Sequence, residues 1–451
     1  MESLRLVIAK AKKHQGFRRY LGNTGWLFGG RMLQLVLGLF VSIAVARYLG
    51  PSDFGLFNFV LSIVALLAVL GNLGLQALAK RQFVEEPDCR DDILGTCLVL
   101  SVSAGLLVYA CLLAVASFVT SSNLDFALFS LLGASSLLFG PFKLIEVWFQ
   151  SQVRSDLAVT ATGISLIVFS LVKLGAIYFG ASVLEFAYIS LVSAISFSCL
   201  LIYFYKKHFG SVLRWRFKHT IASDFLKQCW PLILSGLAIA VYMKIDQIML
   251  GTLLGQEAVG YYSVAVKISS VWYFIPAILA TSLFPAIMNA RKRSRKLYVG
   301  RLQQYFDLNA GLSYLICVPL SFAAPLIVDL LFGDEFSDSG PILAVQAWSS
   351  LFVFLGVARG EYLVAEKLFK FSFCCTVLGA IINIALNYAL IPVHGGLGAA
   401  IATLVSYAVS AFLSSAFLRN NDNIFRRQVT SLFAPCLLFK MQKLKINETD
   451  K

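Results

Sequence analysis

About a dozen apolar stretches, each close to twenty residues long, occupy this chain almost end to end. A helix of that length crosses the hydrocarbon core and satisfies its own backbone hydrogen bonds where no water can. The chain therefore folds with lipid as its solvent, and its function lies inside the bilayer or at its faces. Only 14% of its 451 residues are charged, against roughly 25% in a soluble domain. A net charge of +14 would point to nucleic acid in a soluble protein. Here basic cytoplasmic loops account for it, and no nucleic-acid partner is expected.

The pattern predicts an all-α polytopic membrane protein of about twelve transmembrane helices. The first six spans lie near 24–46, 55–79, 93–119, 126–150, 157–179 and 183–204. The second six lie near 229–254, 259–288, 308–332, 342–364, 370–391 and 395–418. A final apolar run, 431–439, is too short to span and reads as a segment lying on the membrane. The basic first 23 residues lead into an apolar run longer than a signal-peptide core, so an uncleaved first helix is expected despite Ala44-Val45-Ala46.

Loop charge orients the spans. Basic residues gather in the N-terminal tail (Arg5 to Arg19), after the sixth span (Lys206 to Lys227), after the eighth (Arg291 to Arg301) and after the twelfth (Arg419 to Lys443). The alternate connections 119–125 and 333–341 carry only acids: Asp125, Asp334, Glu335 and Asp338. By the positive-inside rule both termini are cytoplasmic.

The chain also repeats itself. Leu49-Gly50-Pro51-Ser52-Asp53-Phe54-Gly55-Leu56-Phe57 joins spans one and two, and Leu254-Gly255-Gln256-Glu257-Ala258-Val259-Gly260-Tyr261-Tyr262 joins spans seven and eight. A weaker echo links 184–193 with 397–406. Two pseudo-symmetric six-helix lobes follow, at 24–204 and 229–418. A cytoplasmic tail at 1–23, a cytoplasmic linker at 205–228 and a second tail at 419–451 complete the division.

Charges within membrane spans are costly and mark function. Arg31, Lys173, Lys244, Asp246, Lys267, Arg359 and Glu361 have no opposite charge one helical turn away. Lys143 and Glu146 are three apart and share a helix face, so they can neutralise each other. Arg31, Lys143 and Arg359 form an inner tier of cations, and Lys173, Lys244 and Lys267 an outer tier. A charged anion crossing the bilayer needs such stepwise compensation. Snorkelling to the headgroups is the competing reading for Arg359, Lys173 and Arg31. Asp246 and Lys267 sit at matching depth, either as an ion pair or with a transport role. Asp246, Glu146 and Glu361 are the candidates for ion coupling.

Pro141, Pro276, Pro285, Pro319 and Pro325 are expected to interrupt their helices. Nine cysteines without ligand spacing (Cys97, Cys111, Cys199 and Cys317 among them) read as small core residues. His14, His208, His219 and His394 are scattered, so no metal, cofactor or catalytic residue is expected. There is no G-x-S-x-G and no P-loop.

Three segments carry a family resemblance. Arg47 to Phe57 resembles the first interhelical turn of bacterial polysaccharide (O-antigen, Wzx-type) flippases. Ile245-Asp246-Gln247-Ile248-Met249-Leu250-Gly251 with Val259-Gly260-Tyr261-Tyr262-Ser263 resembles their seventh and eighth helices. Asn387-Tyr388, Leu390-Ile391-Pro392 and Gly395 to Thr403 resemble their last two. The match spans nearly all of 20–418. The resemblance implies the multidrug/oligosaccharidyl-lipid/polysaccharide exporter superfamily, a MATE-like fold and alternating access around a central cavity. It implies an undecaprenyl-pyrophosphate-linked oligosaccharide as cargo, crossing the bacterial cytoplasmic (inner) membrane for surface polysaccharide synthesis. A polysaccharide polymerase and chain-length machinery are the implied partners. Arg31, Lys143, Lys173, Lys244, Lys267 and Arg359 become candidate diphosphate or acidic-sugar contacts. Of the charged positions only Asp246 lies in a family motif. A cation-coupled multidrug exporter is the nearest rival, although the first span offers Arg31 and no acid. A membrane glycan polymerase or ligase is the rival from another class, and the outer loops are short for one.

Overall fold

The computed structural model describes residues 15–120, 122–418 and 422–433. Among them every regular element is a helix. The basic tail before residue 15, Arg419, and 434–439 with Lys440 and Lys443 lie outside the described residues. Nine described helical stretches are long and apolar enough to cross a membrane. They become ten when the pair Arg295–Phe322 and Ala324–Phe332, bent by 70°, counts as one span. The twelve expected are reached only by counting two internal breaks as span boundaries.

Those breaks fall where the sequence turns. The helix α1 (Gln15–Asn72) is interrupted at Gly50, φ 72° and ψ 175°, which only glycine adopts without strain. Pro51 follows at the start of the next helical segment, where its missing N–H costs nothing. The equivalent break further on is Gly395, φ 56° and ψ −135°, three residues after Pro392.

The rest of the first half comprises α2 (Leu75–Glu85), α3 (Arg90–Val119), α4 (Asn123–Leu137), α5 (Leu144–Ser151), α6 (Ser155–Tyr178) and α7 (Val183–Phe209). A 3₁₀ turn, Gly140–Lys143, holds Pro141 and separates α4 from α5. Ser182 and Glu185 form a capping box that starts α7. The second half comprises α8 (His219–Leu253), α9 (Gln256–Ser270), α10 (Phe274–Arg293), α11 (Arg295–Phe322), α12 (Ala324–Phe332), α13 (Ser339–Ala365), α14 (Phe369–Ala411) and α15 (Ile424–Leu432).

The prolines do not all act as expected. Pro141 and Pro325 mark real breaks. Pro285 and Pro319 sit inside continuous helices, and Pro276 lies in the first turn of α10 after a 3₁₀ turn at Val271–Tyr273. A proline in a first turn breaks no bond, because that N–H has no partner within the helix. Two cysteines depart from expectation as well. Cys97 and Cys317 are buried, but Cys111 and Cys199 lie on the exterior.

The described chain falls into two compact units. One holds the residues up to Leu49 with Val60–Ala240; the other holds Gly50–Phe59 with the residues from Val241 on. The core of the first packs Phe83, Ile93, Trp148, Phe149 and Tyr205 together, with Phe83 edge-on to Trp148 at 5.0 Å. The core of the second gathers Tyr298, Phe306, Leu355, Tyr362 and Ile424. Ile424 belongs to α15, so the start of the C-terminal tail is built into this unit. Arg295 bonds Asp422 at 2.8 Å, and Gln428 donates to the Ala411 carbonyl at 3.0 Å.

Candidate functional site

Each unit holds a polar cluster inside an apolar helical shell. In the second unit the cluster centres on Asp246 of α8, which is 3% exposed. Tyr262 of α9 and Thr403 of α14 donate to its Oδ2 at 2.7 and 2.6 Å. Asn387 of α14 donates to Oδ1 at 2.5 Å. The Gly395 break lies between Asn387 and Thr403, so residues on both sides of it reach one carboxylate. Asn383 extends the network, accepting from Asn387 at 3.1 Å and donating to Ser406 at 3.3 Å. A buried carboxylate is tolerable only when hydrogen-bonded in this way. The Oδ1 atom of Asn387 remains without a partner.

The first unit holds a cavity of about 550 Å³. Its walls come from Gln34 and Asn72 of α1, Ser135 and Ser136 of α4, Lys143, and Glu146 of α5. Thr162 and Ser165 of α6 and Ser190 and Ser193 of α7 add further polar groups, and Phe139, Gly140, Leu166, Ala194 and Phe197 supply the apolar part of the wall. The broken helix at Gly140–Lys143 positions this wall, because it places Lys143 on a 3₁₀ turn and Glu146 on the helix that follows. Among the described residues no ion pair joins them. Glu146 accepts instead from Gln150 at 3.3 Å. Lys143 and Glu146 still act on each other electrostatically, without a direct ion pair. A smaller neighbouring chamber contains Arg31 and shares Gln34, Glu146, Thr162 and Leu166 with the first. The Arg31 guanidinium reaches Gln34 Oε1 at 3.4 Å.

Of the cations expected to line a path, the structure therefore brings Arg31 and Lys143 together with Glu146. The half-buried Lys173 follows Ser165 by two turns of α6 and is not a wall residue of either chamber. In the second unit Lys244 and Lys267 are half-buried on α8 and α9, and Glu361 is half-buried on α13. Arg359 of α13 is 6% exposed, so it does not snorkel. It donates to Ser414 at 2.6 Å and Ser415 at 3.4 Å, and its Nε has no partner.

Reasoning from charge alone missed the neutral partners: Tyr262, Asn383, Asn387 and Thr403 in one unit, and Asn72, Ser136, Ser165 and Ser193 in the other. The available signal was the recurrence of amides and hydroxyls inside stretches long enough to span the membrane.

The helical fold of the described residues is shared with solved multi-pass membrane transporters. An inward-facing multidrug resistance MATE family transporter of the MOP superfamily matches with a TM-score of 0.69 and 16% identity, over 88% of this chain and 96% of that one. Lipid II flippase MurJ, in an inward closed conformation, matches with a TM-score of 0.66 and 16% identity, over 93% of each chain. At that identity the structures show the fold alone. The chain belongs to the polysaccharide biosynthesis protein family, whose model matches residues 44–341. It is similar to probable flippase AglR of Haloferax volcanii, 27% identical over 400 residues, 86% of this chain and 81% of that one. It is also similar to the capsular polysaccharide biosynthesis protein CapF of Staphylococcus aureus, 20% identical over 395 residues, 86% and 96% of the two chains.

Proposed function

We propose that this protein is a flippase for an oligosaccharide carried on a polyprenyl diphosphate, undecaprenyl in the reading drawn from the motifs. It moves the unit across the cytoplasmic membrane by alternating access, with both termini on the cytoplasmic side, to feed surface glycan synthesis. A polysaccharide polymerase and chain-length machinery then take the product. The observation that carries this reading is the pair of adjoining chambers in the first unit. One holds the Arg31 guanidinium, suited to a phosphate, and the other presents amides and hydroxyls among apolar wall residues. Lys173, Lys244, Lys267 and Arg359 are further candidates for contacts to the diphosphate or to acidic sugars.

Coupling is assigned to Asp246, whose buried carboxylate and neighbouring amide and hydroxyl oxygens suit Na⁺ or a proton. Glu146 and Glu361 are the alternatives. The multidrug exporter reading shares the fold, but a lipophilic drug favours apolar and aromatic walls. The chamber has ten polar wall residues and two aromatic ones, Phe139 and Phe197.

The test is deletion of the gene followed by leaflet-specific labelling of lipid-linked glycans. Accumulation of complete units in the cytoplasmic leaflet supports the flippase. Absent or incomplete units would instead indicate an enzyme of glycan assembly, and unchanged leaflet distribution would overturn the proposal.

A further inference from the structure

We propose that the connection between α7 and α8 is a docking surface for anionic phospholipid. Leu213 and Phe217 enter the headgroup layer, and Lys206, Lys207, Arg214 and Arg216 hold lipid phosphates around them. The surface lies wholly within the first unit, and in the orientation given above it meets the cytoplasmic leaflet.

The segment has an inside and an outside. Ser211 accepts from the Leu213 amide at 3.2 Å and starts a 3₁₀ turn, Val212–Arg214. Val212 and Trp215 pack against the core of the first unit, with Trp215 edge-on to Tyr205 at 5.1 Å. Leu213 and Phe217 are left outside, 92% and 48% exposed. The backbone behind them is fastened: the Arg216 amide donates to the Asp91 carbonyl at 3.1 Å, and the Lys218 amide to Thr96 Oγ1 at 2.9 Å. A lone exposed leucine needs no explanation. Two large apolar side chains kept outward by a docked turn, with cations on both sides, form a surface of definite character.

Charge gives the chemistry of what covers it. Lys206, Lys207, Arg214 and Arg216 are exposed, and none belongs to an ion pair among the described residues. The acids against which the segment lies are engaged elsewhere. Asp92 pairs with Lys218, and Asp91 accepts from Arg90 and Tyr205. Asp224 of α8 is the exposed acid that remains nearby in the chain. Four uncompensated cations around an apolar tip suit a partner that is both negative and greasy.

Depth makes that partner a lipid. The capping box of Ser182 and Glu185 is polar and marks the outer boundary of α7, which has 27 residues. At 1.5 Å per residue that is about 40 Å, more than the roughly 30 Å of hydrocarbon and close to the whole bilayer with its headgroups. The helix therefore ends among the inner headgroups, and the turn that follows lies there with it. Tyr203 of α7 and Trp230 of α8 are exposed on either side of it in the chain, as aromatic residues are at that level. Apolar side chains set among lysines and arginines at this depth meet upper acyl segments and phosphates together.

The experiment uses Leu213→p-benzoylphenylalanine, a photoreactive substitution, in the full-length protein. The protein is reconstituted into vesicles of equal parts phosphatidylcholine and phosphatidylglycerol, illuminated, and its adducts are identified by mass spectrometry. Phospholipid adducts are expected, with phosphatidylglycerol in excess by at least about fivefold, the effect of one cation near an anionic surface. Combining Lys206→Gln, Lys207→Gln, Arg214→Gln and Arg216→Gln should bring that ratio to about one while lipid adducts persist. The Arg216 backbone bond survives that change. If the combined variant fails to fold, raising the salt around the unaltered cations should lower the ratio at least about twofold. Absence of lipid adducts, as for a tip bathed in water, overturns the proposal. So does equal labelling of the two lipids, or a protein adduct in place of a lipid one when the same substitution is illuminated in cells. The vesicles have the same lipids in both leaflets and contain no glycan, so failure here leaves the flippase reading and its orientation standing.

Discussion

Tyr262 donates its hydroxyl hydrogen to Asp246 Oδ2 at 2.7 Å, and the two residues are 2% and 3% exposed. They come from helices on either side of the tight turn at Gly255, and the same carboxylate collects Thr403 and Asn387 from α14. One acid therefore ties three helical elements together. Tyr262→Phe removes one charge-assisted bond and should cost about 1.5–3 kcal/mol of stability. Asp246→Asn replaces an acceptor with a donor facing other donors and should cost a similar amount while abolishing transport. Because both act on one network, the double variant should cost less than the sum. Melting temperatures in detergent for the four-member cycle check this; strict additivity would mean that the bond contributes nothing.

The two repeated turn motifs meet at their second glycines. A methyl group on Gly55 would stand 1.8 Å from the Gln256 carbonyl oxygen, and one on Gly260 would stand 2.1 Å from that of Pro51. Neither obstacle is a side chain that can swing away. Gly55→Ala and Gly260→Ala should each lose at least about 2 kcal/mol, as overpacked sites do. Gly300, within α11, has open space around its Cβ position. Gly300→Ala should be neutral or stabilise by up to about 1 kcal/mol. Side-by-side thermal melts distinguish the three.

Arg359 is a buried guanidinium held by two serine hydroxyls, with no acid joined to it among the described residues. Breaking a buried polar arrangement from one side costs more than replacing the charge altogether. Ser414→Ala should therefore destabilise by about 2 kcal/mol. Arg359→Met, similar in length and uncharged, should stay within about 1 kcal/mol of wild type or exceed it. If Arg359 also contacts cargo, Arg359→Met will fold normally yet fail to restore surface glycan to a deletion strain. A large stability loss in Arg359→Met would show instead that the charge has a structural partner.

How far the sequence carried can be seen at particular residues. The turns at Gly50 and Gly395 were legible because glycine next to Pro51, or three residues past Pro392, is a local signal, independent of tertiary packing. Lys143 and Glu146 were legible as interacting charges three residues apart, but the 3₁₀ turn at Pro141 and the Gln150 bond to Glu146 were not, because both depend on how the break is packed. Asp246 stood out as a charge in oil. Its partners Asn387 and Thr403 did not, since a neutral side chain 141 or 157 residues away acquires meaning only when the chain brings it within 2.5 or 2.6 Å. The hydroxyl wall was hidden for a related reason. Serine is common in membrane helices, and only the fold separates Ser135, bonded to its own helix, from the unpartnered Ser165.

The connection between α7 and α8 offers the last test. Although basic, it is fastened to the first unit. The Arg216 amide donates to the Asp91 carbonyl at 3.1 Å, the Lys218 amide donates to Thr96 Oγ1 at 2.9 Å, and Lys218 pairs with Asp92 at 2.5 Å. Trp215 packs edge-on to Tyr205 at 5.1 Å. The contact depends on Gly95, where a methyl group would stand 2.5 Å from the Arg216 carbonyl oxygen. Backbone docking, not the exposed ion pair, should dominate, because surface pairs contribute little. Trypsin is expected to cut after Arg214, Arg216 and Lys218 when this segment lifts away. Gly95→Val should accelerate cleavage there at least about tenfold, as a backbone opening made about 1.4 kcal/mol easier would. Asp92→Asn should change it less than about twofold. Equal effects from the two variants would mean that the charges, and not the close backbone approach at Gly95, hold the linker down.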